Sequence, residues 1–385
     1  MWAIGMLAAC AGSAANPRVE TDHPPLLDAT PVPPASPAPA EQDAGPAEAD
    51  AGPAPITDAQ LGALSMRLSE DTGEFPSDNL VSNETSYLHV AEALGAIPRG
   101  RAYVGVGPEQ NLSYIAILRP AIAYVVDIRR ENLLEHIAIR AAMEDATTRA
   151  EFVGRLTARE VPDGIEDAAP FERIAEAFSK ARRRTALRDE AVERSVALHE
   201  RLGIALAGGD RRKYVRIHQA FFAKGLDLAY TMEGSARPYR PLRSQLAEPM
   251  SFVANERTYA WVRQFVRENR LVPLVGDFAG ERALASVAQD IRTRGLFLGA
   301  FYASNVEEYL FDGRVYPAFV QNLGRFPADE RSVVVRVWFD RGRPHPAQRE
   351  GHRSTTIAAP LARFLERCAS APFRTFWDVV TWTPG

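Results

Sequence analysis

Cysteine is scarce in this chain, with only Cys10 and Cys368 among 385 residues. Two cysteines support neither a disulfide framework nor a cysteine-based zinc site. No apolar run reaches the roughly 20 residues that a membrane-spanning helix needs. The net charge of −4 gives no electrostatic footprint for nucleic acid, so we predict no such partner. The HExxH, GxSxG, P-loop and protein-kinase motifs are also absent, which leaves no motif for a zinc protease, a serine esterase or a nucleoside triphosphatase.

The N-terminus resembles that of a lipid-anchored protein. Residues Leu7–Cys10 read Leu-Ala-Ala-Cys, which matches the lipobox of bacterial lipoproteins, so we predict a signal segment over 1–10 with lipidation of Cys10. Residues 11–55 are rich in proline, alanine and aspartate, bury little apolar surface and fit a disordered tether. This places the protein at the cell envelope, with the outer membrane favoured because Ala11 follows the cysteine. The alternative is a cytoplasmic protein in which the match is a coincidence.

Residues 56–385 have the composition of an ordinary globular domain. Apolar runs bounded by turns predict buried strands at 101–106, 122–126, 271–275, 296–302 and 333–339, and weaker strands at 355–358 and 377–381. Helical periodicity dominates from about 131 to 269 and predicts a large helical insertion between the second and third strands. The order of elements predicts an α/β fold, a three-layer Rossmann-like sheet with helices on both faces.

A glycine-containing turn follows the first predicted strand. The segment Tyr103–Asn111 reads Tyr-Val-Gly-Val-Gly-Pro-Glu-Gln-Asn, and Asp127 ends the next strand about 20 positions after Gly105. In a Rossmann-like sheet such glycines let the backbone approach a ligand, and such an acid accepts ribose hydroxyls. The pattern therefore predicts a small-molecule site at this turn.

Several short segments together resemble an uncharacterised family of bacterial proteins whose core is similar to class I S-adenosylmethionine-dependent methyltransferases. They begin at Asp78, Gly105, Val126, Gly276 and Ser304. The resemblance extends over nearly all of residues 56–385. It implies a methyltransferase-like fold, and S-adenosylmethionine as a possible cofactor.

The resemblance also implies roles for individual residues. Gly105 and Gly107 would pass under the methionine part of the cofactor, and Asp127 would bind its ribose. Asp277 would reach the adenine amine, and Phe278 would stack on the ring. Tyr302 and Asn305 are the catalytic candidates. Glu84 and Glu109 are candidates for the ligand pocket, and a carboxylate at Glu109 would suit a cationic or amine ligand.

Each of these polar residues also has a purely structural interpretation. Asp127 and Asp277 are placed to cap the helices that follow them, and Asn305 is placed to cap a helix beginning at Val306. Glu84 is likewise near the start of a predicted helix. His136, His199 and His218 lack the spacing of metal ligands, so we predict satisfied histidines and no metal site.

Two functions follow from these observations. The favoured one is a membrane-anchored protein whose methyltransferase-like domain binds a small ligand or a partner. The alternative is a methyltransferase acting on an unknown substrate, which would have to work in the cytosol, where S-adenosylmethionine is made. In either case we expect one cleft bordered by Gly105, Gly107, Asp127, Asp277 and Asn305, with the helical insertion as its cover.

If the lipobox is functional, the protein will partition into detergent and carry label from a radioactive fatty acid. Replacing the acceptor, Cys10→Ser, will remove both properties, whereas Cys368→Ser will change neither. Unlabelled wild-type protein in the cytosolic fraction would contradict the lipoprotein hypothesis.

Overall fold

A computed structural model describes residues 55–75, 79–231 and 239–384. The predicted signal segment with Cys10, and residues 11–54 of the predicted tether, lie outside these ranges. The described residues form one six-stranded sheet in the order β3-β2-β1-β4-β5-β6. Its strands are β1 Ala102–Gly105, β2 Ile122–Asp127, β3 Leu271–Val275, β4 Leu298–Ser304, β5 Val333–Phe339 and β6 Ser354–Pro360.

The first five strands are parallel, and β6 pairs antiparallel with β5. All residues of β1, β2 and β3 are buried, as expected for strands covered on both faces. The predicted α/β class and the Rossmann-like, mostly parallel sheet are confirmed. Strand order reverses between β1 and β4, and ligands of open α/β sheets bind at the carboxyl ends of the strands at such a point.

Fifteen α-helices occur in the described residues. They are α1 Asp58–Leu68, α2 Ala91–Gly95, α3 Gln110–Leu118, α4 Arg130–Met143, α5 Arg149–Thr157, α6 Phe171–Lys180, α7 Thr185–Arg201, α8 Asp210–Lys224, α9 Leu242–Leu246, α10 Glu256–Arg267, α11 Ala283–Thr293, α12 Val306–Asp312, α13 Tyr316–Leu323, α14 Leu361–Ser370 and α15 Phe376–Val380. None of these helices has both the length and the apolar character needed to cross a membrane.

The helices α4 to α10 all lie between β2 and β3, where the sequence pattern places the insertion. Helix α4 packs on β2 and β3, and α7 and α8 pack on α4. The guanidinium of Arg130 on α4 donates to Asp210 at the start of α8, with Nη2 2.7 Å from Oδ2. This ion pair fixes α8 close to the carboxyl end of β2.

The chain after β6 differs from its prediction. Residues 377–381 were expected to form a strand, but Trp377 lies within helix α15. Thr375 caps this helix by accepting from the Asp378 amide, and the Asp378 carboxylate accepts from the Thr375 amide. A capping box of this kind stabilises a helix start even in a short apolar segment.

Candidate functional site

The carboxyl ends of β1, β2, β3 and β4 border a cleft of about 350 Å³. Its lining includes six of the residues that the sequence pattern or the resemblance singled out: Glu84, Gly107, Asp127, Asp277, Phe278 and Asn305. Most of the remaining lining is apolar, as in Val126, Ile128 and Leu310. A mainly apolar cavity of this size with a few converging polar groups is typical of small-molecule sites.

Of the two glycines at the carboxyl end of β1, Gly107 is the one whose backbone conformation requires a glycine. Its φ of +83° lies in the left-handed region that disfavours residues with a Cβ. Gly105, in contrast, is not part of the cleft lining. A Cβ there would overlap the Asn111 amide oxygen and the Tyr103 hydroxyl, so Gly105 serves the packing of β1 against α3.

Glu109 also lies away from the cleft. Its side chain is 7% exposed and turns into the interior, where one oxygen accepts from the Ser82 amide at 3.3 Å. Its other oxygen, Oε2, has no hydrogen-bond partner. Burial raises the pKa of Glu109 to about 7.

Glu84 is the centre of a hydrogen-bonded group at the floor of the cleft. Its Oε1 accepts from the Ser304 hydroxyl at 2.6 Å and from the Tyr302 hydroxyl. Tyr302 is fully buried and in turn accepts from the Gln110 side-chain amide at 3.0 Å. Burial raises the pKa of Glu84 to about 7, although the two hydroxyl donors act in the opposite direction. Glu84 is therefore a buried acid that changes charge near neutral pH.

Ser304 is a cleft residue to which the sequence pattern assigns no role. It ends β4 with a φ of +51°, an uncommon conformation for a residue other than glycine. The pairing register between β4 and β5 also shifts between Tyr302 and Ser304. Its place at the end of an apolar strand is the signal that points to it, and the same signal points to its neighbour Asn305.

Asp127 is paired with a residue of its own turn. Its Oδ1 accepts from the Arg129 amide at 2.9 Å and from Nε at 3.1 Å, and its Oδ2 accepts from Nη2 at 3.0 Å. Both side chains are almost fully buried. Asp127 does not cap α4, whose N-cap position is Arg129 and carries no side-chain capping bond.

Asp277 and Phe278 follow β3. The Asp277 carboxylate accepts from the Ala279 amide at 2.8 Å, and the amides that begin α11 approach the Glu70 carboxylate instead. The capping role considered for Asp277 therefore belongs to Glu70. The Phe278 ring is 3% exposed and stacks on Phe319 at 5.6 Å, so most of it lies in the core.

Asn305 occupies the N-cap position of α12 without forming a side-chain capping bond. Its amide makes only long contacts, at 3.4 Å, with Ser304 and Glu308. Its side chain therefore remains weakly held on the cleft lining.

A more open cavity of about 940 Å³ adjoins the cleft and shares Phe75, Arg129 and Tyr230 with it. Lys213 of α8 lines this outer cavity, and its ammonium lies 3.1 Å from Glu131. The helical insertion thus borders both cavities, through α8 and through Tyr230.

A further set of buried polar atoms lacks hydrogen-bond partners behind the Gly107 turn. They belong to Asn132, Glu135 and His136 of α4. The His136 Nε2 is 2.9 Å from the Gly107 carbonyl oxygen, so Nε2 carries the proton and Nδ1 is the unpartnered atom. No cluster of three or more metal-binding side chains occurs in the ranges that the structure describes.

Fold and cleft together define an α/β domain with a Rossmann-like sheet and a small-molecule-sized cavity where its strand order reverses. Residues 79–375 match the family model of a domain of unknown function, DUF7790. This match spans more than half of the chain and includes all six strands, so the protein belongs to that family. A comparison with curated proteins found no match.

The raised pKa of Glu109 predicts a pH-dependent stability. The native state keeps the proton up to a pKa of about 7, against the ordinary value of 4.5. The stabilisation that protonated Glu109 contributes to the native state is therefore complete below pH 4.5 and is lost as the pH rises through about 7. Glu109→Gln should gain stability relative to wild type between pH 4.5 and pH 8, by up to about 3 kcal/mol.

Urea unfolding of both proteins at these two pH values measures the difference. Buried histidines such as His218, whose pKa burial lowers to about 4, act in the opposite direction but cancel in the comparison. The exposed-site variant Glu330→Gln is the matched control. An equal wild-type-to-variant difference at both pH values would contradict the prediction.

Proposed function

We propose that this domain binds a small molecule in the cleft and is held at a membrane through lipidated Cys10. The observation that carries the first part is the convergence of polar side chains from the ends of β2, β3 and β4, together with Glu84, on one mainly apolar cavity. Such cavities at the reversal of strand order are where open α/β sheets bind ligands. The lipobox sequence and the composition of residues 11–55 support the second part.

The charge of the lining favours a neutral or cationic ligand. Four acids line the cleft, namely Glu74, Glu84, Asp127 and Asp277, against one base, Arg129. Arg129 is itself paired with Asp127. An anionic ligand would therefore meet a net negative surface at low local dielectric, where charge repulsion is strong.

A methyltransferase remains the second candidate, because the Gly107 turn and Asp127 occupy the positions that the resemblance assigns to S-adenosylmethionine. The Asp127–Arg129 pair weighs against it. Ribose hydroxyls would have to compete with three hydrogen bonds from Arg129, and hydrogen bonds to charged groups contribute about 1.5–3 kcal/mol each. A ligand that makes no ribose contact with Asp127 therefore fits the observed Asp127–Arg129 pair better.

A pair of indole probes of opposite charge tests the charge preference. Tryptamine should bind the folded protein roughly tenfold or more tightly than indole-3-propionate, since the acids in the cleft attract its ammonium. Calorimetric titration measures both affinities. Val306→Trp fills the cleft and should abolish binding, whereas Val315→Trp, at a position outside the cleft lining that is 43% exposed, should not. Tighter binding of the propionate, or equal binding by the two variants, would refute the assignment.

Titration with S-adenosylmethionine and S-adenosylhomocysteine separates the two candidate functions. We expect no heat of binding, because Arg129 already donates three hydrogen bonds to the Asp127 carboxylate. Micromolar binding by wild type that Asp127→Ala weakens at least tenfold would instead establish the cofactor site and the methyltransferase reading.

A further inference from the structure

We propose that Ser304 is a nucleophile with Glu84 as its general base, and that the pair hydrolyses a small neutral or cationic ester. This inference rests on the proposed function, since the ester must occupy the same cleft. It adds a reaction to a site that otherwise only binds.

The backbone places Ser304 where a nucleophile has to be. The residue lies at a sharp turn between β4 and α12, with its φ of +51° in the left-handed region. A strained turn between a strand and a helix exposes a serine hydroxyl above the carboxyl edge of a sheet. In many hydrolases glycines on both sides of the serine allow this turn, whereas here Ser304 forms it without them. Ser304 is partly exposed and lines the cleft, so its hydroxyl is accessible to a ligand.

Glu84 has the position and basicity of a general base. Its Oε1 is 2.6 Å from the Ser304 hydroxyl oxygen, within the reach required for proton transfer. Its side chain is 1% exposed, so bulk water does not compete for the proton. Burial raises its pKa to about 7, which matches the basicity of the imidazole that activates serine in other hydrolases.

The base is held in place by further residues, as a nucleophile–base pair requires. The Tyr302 hydroxyl donates to the same carboxylate oxygen, and the Gln110 amide donates to Tyr302. The Tyr302 ring packs edge-to-face on Tyr114 with centroids 4.9 Å apart. Tyr302 is thus a positioning residue, buried beneath the cleft and out of reach of a ligand.

Other serines in this fold show what a structural role looks like. The hydroxyls of buried Ser65 and Ser332 donate to backbone carbonyls, at 2.6 and 2.7 Å. Ser304 instead faces a cavity and donates to an ionisable acid whose second oxygen has no partner. Ser304 combines a left-handed backbone with exposure to the cleft, which neither Ser65 nor Ser332 does.

The reaction is balanced with water as the only co-reactant. The Ser304 oxygen forms a bond to the ester carbonyl carbon as its proton passes to Glu84. The carbon–oxygen bond to the leaving alcohol then breaks, and Glu84 returns the proton to that alcohol. A water molecule then loses a proton to Glu84 as its oxygen bonds to the acyl carbon. The bond between that carbon and the Ser304 oxygen breaks and releases the acid, and Glu84 returns the proton to Ser304. The Asn305 amide, weakly held on the same lining, is the donor for the developing oxyanion.

Diisopropyl fluorophosphate, a small neutral reagent for activated serines, tests the proposal on the full chain. Mass spectrometry should find one modified residue, Ser304, in wild type. Ser304→Ala should lose the label, and Ser179→Ala, which removes an exposed serine, should keep it. Glu84→Gln should slow labelling at least about 100-fold, the lower range for general-base catalysis. Absence of label on Ser304, or equal rates in Glu84→Gln, would overturn the proposal.

The pH dependence separates a base from a structural acid. Four titratable groups face Glu84 from the elements packed against it: Tyr103, Glu109, Tyr114 and Tyr302. Burial raises the pKa of each tyrosine, so Glu109 is the other acid titrating near neutrality. The labelling rate should fall as the pH falls through about 7, in Glu109→Gln as in wild type. A flat profile would overturn the assignment of Glu84.

Two further readouts keep this inference distinct from ligand binding. Tyr302→Phe keeps the ring and removes the hydroxyl, so it should slow labelling under conditions in which circular dichroism shows that the variant is still folded. An unchanged labelling rate in Tyr302→Phe would contradict its positioning role. Tryptamine binding without any label on Ser304 would reject the nucleophile and leave the binding function intact. A label on Ser304 without tryptamine binding would support the nucleophile and reject the proposed binding of cationic ligands.

Discussion

Glu84 places a carboxylate in the protein interior, between the segment that precedes β1 and the end of β4. An isolated buried charge is strongly unfavourable, and hydrogen bonds to the charged form are what offset the loss of water. Here the donors are the hydroxyls of Tyr302 and Ser304, both at the carboxyl end of one strand. The buried Glu84 carboxylate is therefore held over the sheet by two hydroxyls that the carboxyl end of β4 presents.

Other acids at this edge of the sheet also accept hydrogen bonds from groups of the protein itself. Asp127 is satisfied by Arg129, and the backbone amides around Asp277 are satisfied by Glu70 from the segment after α1. The Ser304 hydroxyl and the weakly held Asn305 amide also line the cleft and are accessible to a ligand, together with the apolar walls. A hydrolytic site needs only water, which is present on either side of a membrane, whereas S-adenosylmethionine is made in the cytosol. A hydrolase would therefore be compatible with an anchor at Cys10.

Strands and helices differ in how far local pattern predicts them. Continuous apolar runs such as 271–275 fit only a buried strand or the core of a helix, and the flanking turns decide between these. The segment around Trp377 has a similar apolar character, yet it forms α15 because Thr375 and Asp378 cap it. Phe278 shows a different limit. Its place after a strand suggests a ring that contacts a ligand, but Phe319, more than forty positions away in the sequence, takes one face of that ring into the core.

Sequence alone determined the class of fold, the glycine turn at Gly107 and the position of several cleft residues, because each depends on contacts or periodicity within a few neighbouring positions. Only the tertiary structure decided which polar groups are free. Arg129 neutralises Asp127, Glu109 turns inward, and Glu84 meets Ser304 from more than two hundred positions away. Burial and hydrogen-bond partnership set the charge and reactivity of these groups, and both depend on how distant segments pack, which no local pattern encodes.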